Sequence, residues 1–185
     1  MVQEVEVKYR VLDLPALQAA LAARGAMLSP PVHQDDQAFA PAGWSYGENK
    51  VGVVFARLRT QDGVHLWTVK QPVDNEMACV EHESVVADRE AMERSLILMG
   101  WAPTVRIVKT RRTARLDLPG GRIAVCVDEV EHAGSFVEME RVVSGSESGA
   151  AVQHELDRWA RSLGAELERT TDTYDSLVRA ALSPA

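Results

Sequence analysis

The sequence predicts an α+β domain built mostly from antiparallel strands, and three observations predict it. Apolar and polar residues alternate with a period of two over eight separate segments. Tight turns such as Gln61-Asp62-Gly63 and Pro119-Gly120-Gly121 join successive segments, and short turns impose antiparallel pairing. Helical spacing is confined to four stretches lying between or after the strands.

Composition bounds the rest. A chain of 185 residues can bury one good core, so residues 1–185 are read as a single domain. With 46% hydrophobic and 25% charged residues it has the make-up of an ordinary globular protein. The net charge of −7 argues against a general nucleic-acid binder, although it leaves room for a local basic pocket. Cys79 and Cys126 lie in apolar runs without zinc-type spacing and read as small buried groups in a reducing compartment. The chain opens directly on a charged strand, and no apolar run approaches the roughly 20 residues of a membrane span. A cytoplasmic protein with no signal peptide and no membrane partner is expected.

Residues 1–10 form the first strand, with Glu4, Glu6 and Lys8 on one face and Val5, Val7 and Tyr9 on the other. Residues 12–27 follow as a helix: Asp13 is placed to cap it, Pro15 is tolerated in its first turn, and Leu14, Leu17 and Leu21 share a stripe. A strand at 33–39 precedes a loop at 41–50, rich in glycine and aromatics and expected to be mobile. Strands 51–60 and 64–71 make a hairpin that places Arg57 with Arg59 and Lys70 with Thr68. After a turn at 74–77, strand 78–87 presents Glu81 and Glu83 together. Asp88 caps a helix reaching Met99, and Gly100 stops it. Strand 104–117 carries Lys109, Arg111 and Thr113 on one face, strand 122–130 sets Asp128 opposite Val125 and Val127, and strand 135–143 has Glu138 and Glu140 flanking Met139. A loop at 144–149 leads to helices at 150–163 and 171–181.

Two arrangements satisfy strands with charges on one face and aliphatics on the other. An open sheet can turn its polar face to water, or the sheet can close on itself with helices outside and charges lining the interior. The charges are sorted by type: acids at Glu4, Glu6, Glu81, Glu83, Asp128, Glu138 and Glu140, bases at Arg57, Arg59, Lys70, Lys109 and Arg111. Enclosed charges of this number are costly unless partners or bound ions satisfy them. A polyanion gripped by the bases and a divalent cation held by the carboxylates meet that need together. Elsewhere the sequence offers little chemistry. The five histidines show no ligand spacing, Ser135 and Ser176 lack a triad arrangement, and Trp67 and Trp159 read as core or helix-docking groups. Trp44, Tyr46 and Lys50 in the loop could contact a base or thiazolium ring, with ordinary loop packing as the alternative.

Glu4-Val5-Glu6-Val7-Lys8 resembles the E-x-E-x-K signature of the CYTH, or triphosphate tunnel metalloenzyme, superfamily. The order continues with Arg57-Leu58-Arg59, Thr68-Val69-Lys70, Glu81-His82-Glu83, Lys109-Thr110-Arg111, Asp128, Phe136-Val137-Glu138-Met139-Glu140 and Thr173-Tyr174, so the resemblance spans nearly the whole chain. It implies a closed eight-stranded antiparallel β-barrel, a tunnel flanked by helices, that binds a triphosphate with Mg²⁺ or Mn²⁺. By the same resemblance Lys8, Arg57, Arg59, Lys70, Lys109 and Arg111 hold phosphates, while Glu4, Glu6, Asp128, Glu138 and Glu140 hold the metal or orient water. Glu4, Glu6 and Lys8 are the catalytic candidates, and Glu81 and Glu83 are further tunnel acids. Two features depart from the family. A lysine usually lies near the C-terminal Ser-Tyr, where the nearest upstream base here is Arg169, which is therefore expected among the phosphate ligands in its place, and Val2-Gln3 stands where cyclases often carry His-Phe.

The function expected from the resemblance is hydrolysis of tripolyphosphate, ATP or thiamine triphosphate, by a monomer or homodimer. Class IV adenylate cyclase is the alternative, and a non-catalytic triphosphate binder is the third.

Overall fold

The computed structural model describes residues 2–144 and 147–183. Met1 of the first expected strand, residues 145–146 of the loop expected at 144–149, and residues 184–185 of the expected single domain lie outside the described residues. In chain order the elements are β1 (Val2–Val11), α1 (Leu14–Ala23), β2 (Val32–Pro41), β3 (Phe55–Gln61), β4 (Val64–Asn75), β5 (Ala78–Val86), α2 (Arg89–Leu98), β6 (Trp101–Leu118), β7 (Gly121–Val130), β8 (Gly134–Ser144), α3 (Gly149–Arg161), β9 (Leu167–Thr170) and α4 (Tyr174–Leu182). No helix among the described residues is long and apolar enough to cross a membrane.

Antiparallel pairing runs β5-β4-β3-β2-β6-β7-β8-β1, and a further β5–β1 pairing closes these eight strands into a ring. Of the two arrangements the sequence permits, the closed one forms. Closure is narrow. Along one edge β1 pairs with β8 from Val2 to Arg10, whereas its other edge is shared. There β5 takes Glu4 and Val5, and β9 takes Lys8 to Val11. Between them the Glu6 amide donates to the Met77 carbonyl at 2.8 Å.

Helix α3 supports that seam. Gly149, its first residue, sits so close that a Cβ would lie 3.1 Å from both the Ala78 Cβ and an Asp74 carboxylate oxygen. One turn on, Gln153 donates to the Glu6 carbonyl at 3.2 Å and to the Asn75 side chain at 3.1 Å.

The largest apolar core lies outside the ring, because alternate residues of each strand face outward. Val5, Val7 and Tyr9 of β1 pack with Val125, Val137 and Met139 beneath Leu17 and Leu21 of α1 and Val152, Leu156 and Ala160 of α3. Trp159 packs against this cluster. Leu96 of α2 covers Phe39, Ala56 and Leu58, with Trp67 alongside. Helix α4 does something different. Tyr174 and Val178 pack on Ile107, Val130 and Phe136, and Ile107 and Tyr174 also line the central cavity. This helix therefore caps one end of the ring.

Asp13 and Asp88 both cap as their positions predict, each accepting an amide hydrogen bond at 2.9 Å, from Ala16 and Ala91. Several boundaries differ from expectation. Residues 51–54 turn rather than pair, with Gly52 at φ +83°, so the outgoing strand of the hairpin begins at Phe55. Strand β6 starts at Trp101 and runs through Pro103; next to it β2 is bulged between Gln37 and Phe39, where a proline without a donor disturbs the ladder least. Helix α1 stops four residues early, ahead of Gly25 at φ +76°. β9 was not expected, since four residues carry too little alternation to be read.

Candidate active site

The register sorts charge around the ring. Glu138 and Glu140 on β8, Glu4 and Glu6 on β1, and Glu81 and Glu83 on β5 make an acidic wall over three adjacent strands. Lys70 on β4, Arg57 and Arg59 on β3, and Lys109 and Arg111 on β6 make a basic one. All of these residues line one cavity of about 330 Å³, at the small end of ligand pockets.

Most of the interior charge is paired. Arg111 forks onto Asp128 at 2.7 and 2.5 Å, bonds Glu138, and lies 3.6 Å from Glu140. Asp128 also receives the Tyr174 hydroxyl at 2.8 Å and lies 3.4 Å from the Lys109 ammonium. Lys8 lies 3.1 Å from Glu138 and 3.6 Å from Glu6, and donates to the Asp172 carbonyl at 3.2 Å. The Lys8 and Lys109 ammonium groups stand 4.3 and 4.6 Å from the Tyr174 ring centre. Lys70 meets Glu81 at 2.5 Å, and Arg57 bonds Thr68 at 3.0 Å and reaches Glu83 at 3.5 Å.

Three carboxylates are less well provided for: Glu6 and Glu140 each meet one cation, at 3.6 Å, and no cation bonds Glu4 among the described residues. Oxygens of Glu4, Glu6 and Glu140 lie within 4.8 Å of one another. Burial, reinforced by the charges of Glu140 and Glu81, pushes the Glu4 carboxyl up to about 8. Burial also raises Glu140, to about 7, with Glu138 and Glu6 adding to it and Arg111 opposing. Glu138 shows the contrast. Burial opposes its ionisation, but Lys8, Arg111 and Lys109 together hold it well below the usual carboxylate range. Asp128 is likewise held low by Lys109 and Arg111 against its burial. Unmet negative charge is thus concentrated on Glu4 and Glu140, and three convergent hard oxygen donors suit a divalent cation.

The five carboxylates expected around the metal divide accordingly. Glu4, Glu6 and Glu140 converge. Glu138 is held by Lys8 and Arg111. Asp128, with 0% exposure, is locked among cations and does not reach the cavity wall. Arg169, expected among the phosphate ligands, lies on the outer face. Its partner across the β1–β9 ladder is Tyr9, and its guanidinium bonds the Tyr9 hydroxyl at 3.2 Å and Asp157 at 3.4 Å beneath α3. Arg59 lines the cavity, but Asp36 takes its Nε and one terminal nitrogen, both at 2.7 Å.

Asp36, Glu76 and Asp175 are cavity-lining charges the sequence reading did not place, and Lys50, read only as a loop group that could contact a base, lines the same cavity. Asp36 shares its strand face with Gln34, and that alternation was its available signal. Glu76 and Lys50 lie in turns, where no periodicity points inward. Trp44 is at the cavity wall, edge-on to Phe55 and Tyr46 at 5.1 and 5.0 Å between ring centres. Cys79 and Cys126 are free and buried, but beside carboxylates rather than aliphatics: Cys126 Sγ lies 3.8 Å from Glu140, and Cys79 pairs with Glu4. Burial pushes the Cys79 thiol up to about 12, which leaves it protonated and inert. A second opening, lined by Glu4, Glu140, Val142, Arg115 and Arg122, reaches the carboxylates from the other side.

The family model for the CYTH domain matches residues 2–174. The chain belongs to the CYTH domain family. Among its relatives, adenylate cyclase CyaB of Aeromonas hydrophila is 28% identical over 185 residues, covering 97% of this chain and 91% of that protein. A solved protein of Pyrococcus horikoshii superposes with a TM-score of 0.75 at 23% identity, over 95% of this chain and 99% of its own. A Hippeastrum protein named for adenylyl cyclase, and said to have a dominant triphosphatase activity, gives 0.63 at 15% identity over 97% and 96%. The two structures share the fold of this CYTH domain at low identity.

Proposed function

We propose that this CYTH domain is a divalent-metal-dependent triphosphatase acting on a linear or organic triphosphate inside the ring. One observation carries the reading: a convergent carboxylate trio faces a wall of arginines and lysines across a single cavity. Phosphoryl transfer asks a protein for positioning and charge stabilisation more than for covalent chemistry. Glu4, Glu6 and Glu140 would hold Mg²⁺ or Mn²⁺, which when bound supplies Lewis-acid stabilisation of phosphoryl oxygens. Arg57, Lys70 and Lys8 orient the phosphate chain and offset the charge that grows on the leaving phosphate. A carboxylate of Glu4 or Glu6 takes a proton from the water as its oxygen attacks the terminal phosphorus; the bond from that phosphorus to its bridging oxygen breaks, the diphosphate part leaves, and the attacked phosphate is released as orthophosphate.

A second reading, cyclisation of ATP to cyclic AMP and pyrophosphate, is favoured by Trp44 and Phe55 at the cavity wall, which offer aromatic surface to a base. The CyaB relative supports the same direction. ³¹P NMR with tripolyphosphate and with ATP, in Mg²⁺ and then Mn²⁺, separates the two. Orthophosphate identifies the triphosphatase; pyrophosphate with a cyclic phosphodiester signal identifies the cyclase. No turnover of either substrate in either metal rejects both for these substrates.

A further inference from the structure

Lys50 is the cavity-lining cation that no strand of the ring provides. It comes from residues 42–54, the connection between β2 and β3, and is only 8% exposed. Its ammonium donates to the Thr173 hydroxyl at 2.7 Å and the Ser176 hydroxyl at 3.1 Å, lies 3.1 Å from Glu76, and stands 3.9 Å from Asp175. Those partners differ in kind. The hydroxyls fix position without neutralising charge. The carboxylates neutralise it, yet their side chains are 38% and 23% exposed, so either can turn to water at small cost.

Its placement is also informative. Lys8 holds the Asp172 carbonyl and Lys50 holds the neighbouring Thr173 side chain, while Lys8 and Lys109 flank the ring of Tyr174. Three ammonium groups thus gather on one short segment at the end of the ring that α4 caps. The carboxylate trio is approached by the second opening, whose lining includes Glu4 and Glu140 but not Lys50. A phosphate chain with one end at the trio would extend its far end toward Lys50, beside Trp44 and Phe55.

We propose that Lys50 binds the phosphate farthest from the carboxylate trio, exchanging Glu76 and Asp175 for phosphate oxygens and latching residues 42–54 across the cavity. The assignment rests on the triphosphate reading above. It gives the chain a terminal cation next to Thr173-Tyr174 from an element remote in sequence, where Arg169 faces away. Because Lys50 meets the far phosphate only, it discriminates three phosphates from two.

The test is calorimetric titration of tripolyphosphate and pyrophosphate, in Mg²⁺, into the full chain and its Lys50→Met and Glu76→Gln variants. Lys50→Met is expected to weaken tripolyphosphate about ten- to a hundredfold, the range for one charge-assisted contact, and to leave pyrophosphate within about twofold. Glu76→Gln, which frees Lys50 from a competing carboxylate, is expected to tighten tripolyphosphate. Equal tripolyphosphate affinity in wild type and Lys50→Met overturns the assignment while leaving the triphosphate reading intact. Equal weakening of both anions, or weaker tripolyphosphate binding by Glu76→Gln, makes Lys50 a structural tie and also overturns it. A wild-type chain that binds neither anion removes the triphosphate reading and this assignment together.

Discussion

Replacing Glu4 by glutamine should separate the fold from the chemistry. In the metal-free protein Glu4 is buried beside Glu140 and Glu81, and its carboxyl is pushed from 4.5 up to about 8. A carboxyl whose folded value is raised favours folding fully below its unfolded value and loses that contribution as pH rises through the folded one. Metal-free wild type should therefore lose stability progressively between about pH 4.5 and about pH 8. At about 1.4 kcal/mol per tenfold change in proton affinity the ceiling is ~5 kcal/mol. Titration shared with Glu140 and water at the second opening reduce this to about 1–3 kcal/mol. Glutamine keeps the shape and removes the charge, so metal-free Glu4→Gln should melt about 2–10 °C above wild type near pH 8, and close to it near pH 5. Added Mg²⁺ should raise the wild-type melting point and barely move that of the variant, while turnover falls by about a hundredfold or more. Thermal melts monitored by circular dichroism, with chelator and then with Mg²⁺, read all of this. A variant that melts below wild type at high pH, or that keeps full turnover, would refute the convergent trio.

Metal binding should release protons, since Glu4 and Glu140 are raised to about 8 and about 7. Affinity for Mg²⁺ should accordingly rise with pH up to about 8, and calorimetry in buffers of different ionisation enthalpy should detect the release; a pH-independent affinity contradicts it. Arg57→Met should abolish turnover with little change in melting point, because its partner Glu83 is half exposed and remains solvated. Asp36→Ala should do the reverse of sparing the fold, costing about 3–5 kcal/mol by stranding buried Arg59, measurable as a shifted denaturant midpoint. Gly149→Val should destabilise by about 1–3 kcal/mol through overlap with Ala78 and Asp74, and hydrogen exchange should quicken at Val5 and Glu6, where the ring closes.

Alternation made the inward charges legible: a period of two fixes which side chains share a face, and once the ring closes those faces become its interior. The sequence pattern alone left an open sheet equally admissible, because closure depends on two residue pairs at the seam, Glu4 with Cys79 and Val5 with Ala78. Those pairs leave no mark in composition. Charge sign also says little about partner. Asp128 and Glu140 look alike as carboxylates on neighbouring strands, yet one is held by Arg111, Lys109 and Tyr174 and the other by little more than a distant edge of Arg111. Arg169 was misplaced for a related reason: its strand was not recognised, so its parity with Tyr9 was not available. Lys50 and Glu76 lie in turns whose path is set by tertiary contacts.

The pairs that remain inside the ring are of two energetic kinds, and the difference indicates how a ligand enters. Arg59–Asp36 and Arg111–Asp128 are buried and doubly bonded; their side-chain exposures are 8% and 3%, and 14% and 0%. Breaking such a pair leaves an uncompensated charge away from water. Arg57–Glu83 and Lys70–Glu81 are looser, with exposures of 32% and 45%, and 34% and 19%. A partly wet pair can open while both groups keep water, so under the proposed function an arriving phosphate would displace those carboxylates at low cost. The buried pairs then act as a fixed frame that aims the strands, and the wetter ones as exchangeable contacts. If the proposed function holds, the acids of β5 would be placeholders for phosphate, holding the cations in position until the substrate arrives, while Glu4, Glu6 and Glu140, which meet at most one cation each at 3.6 Å, would be the ones left to bind metal.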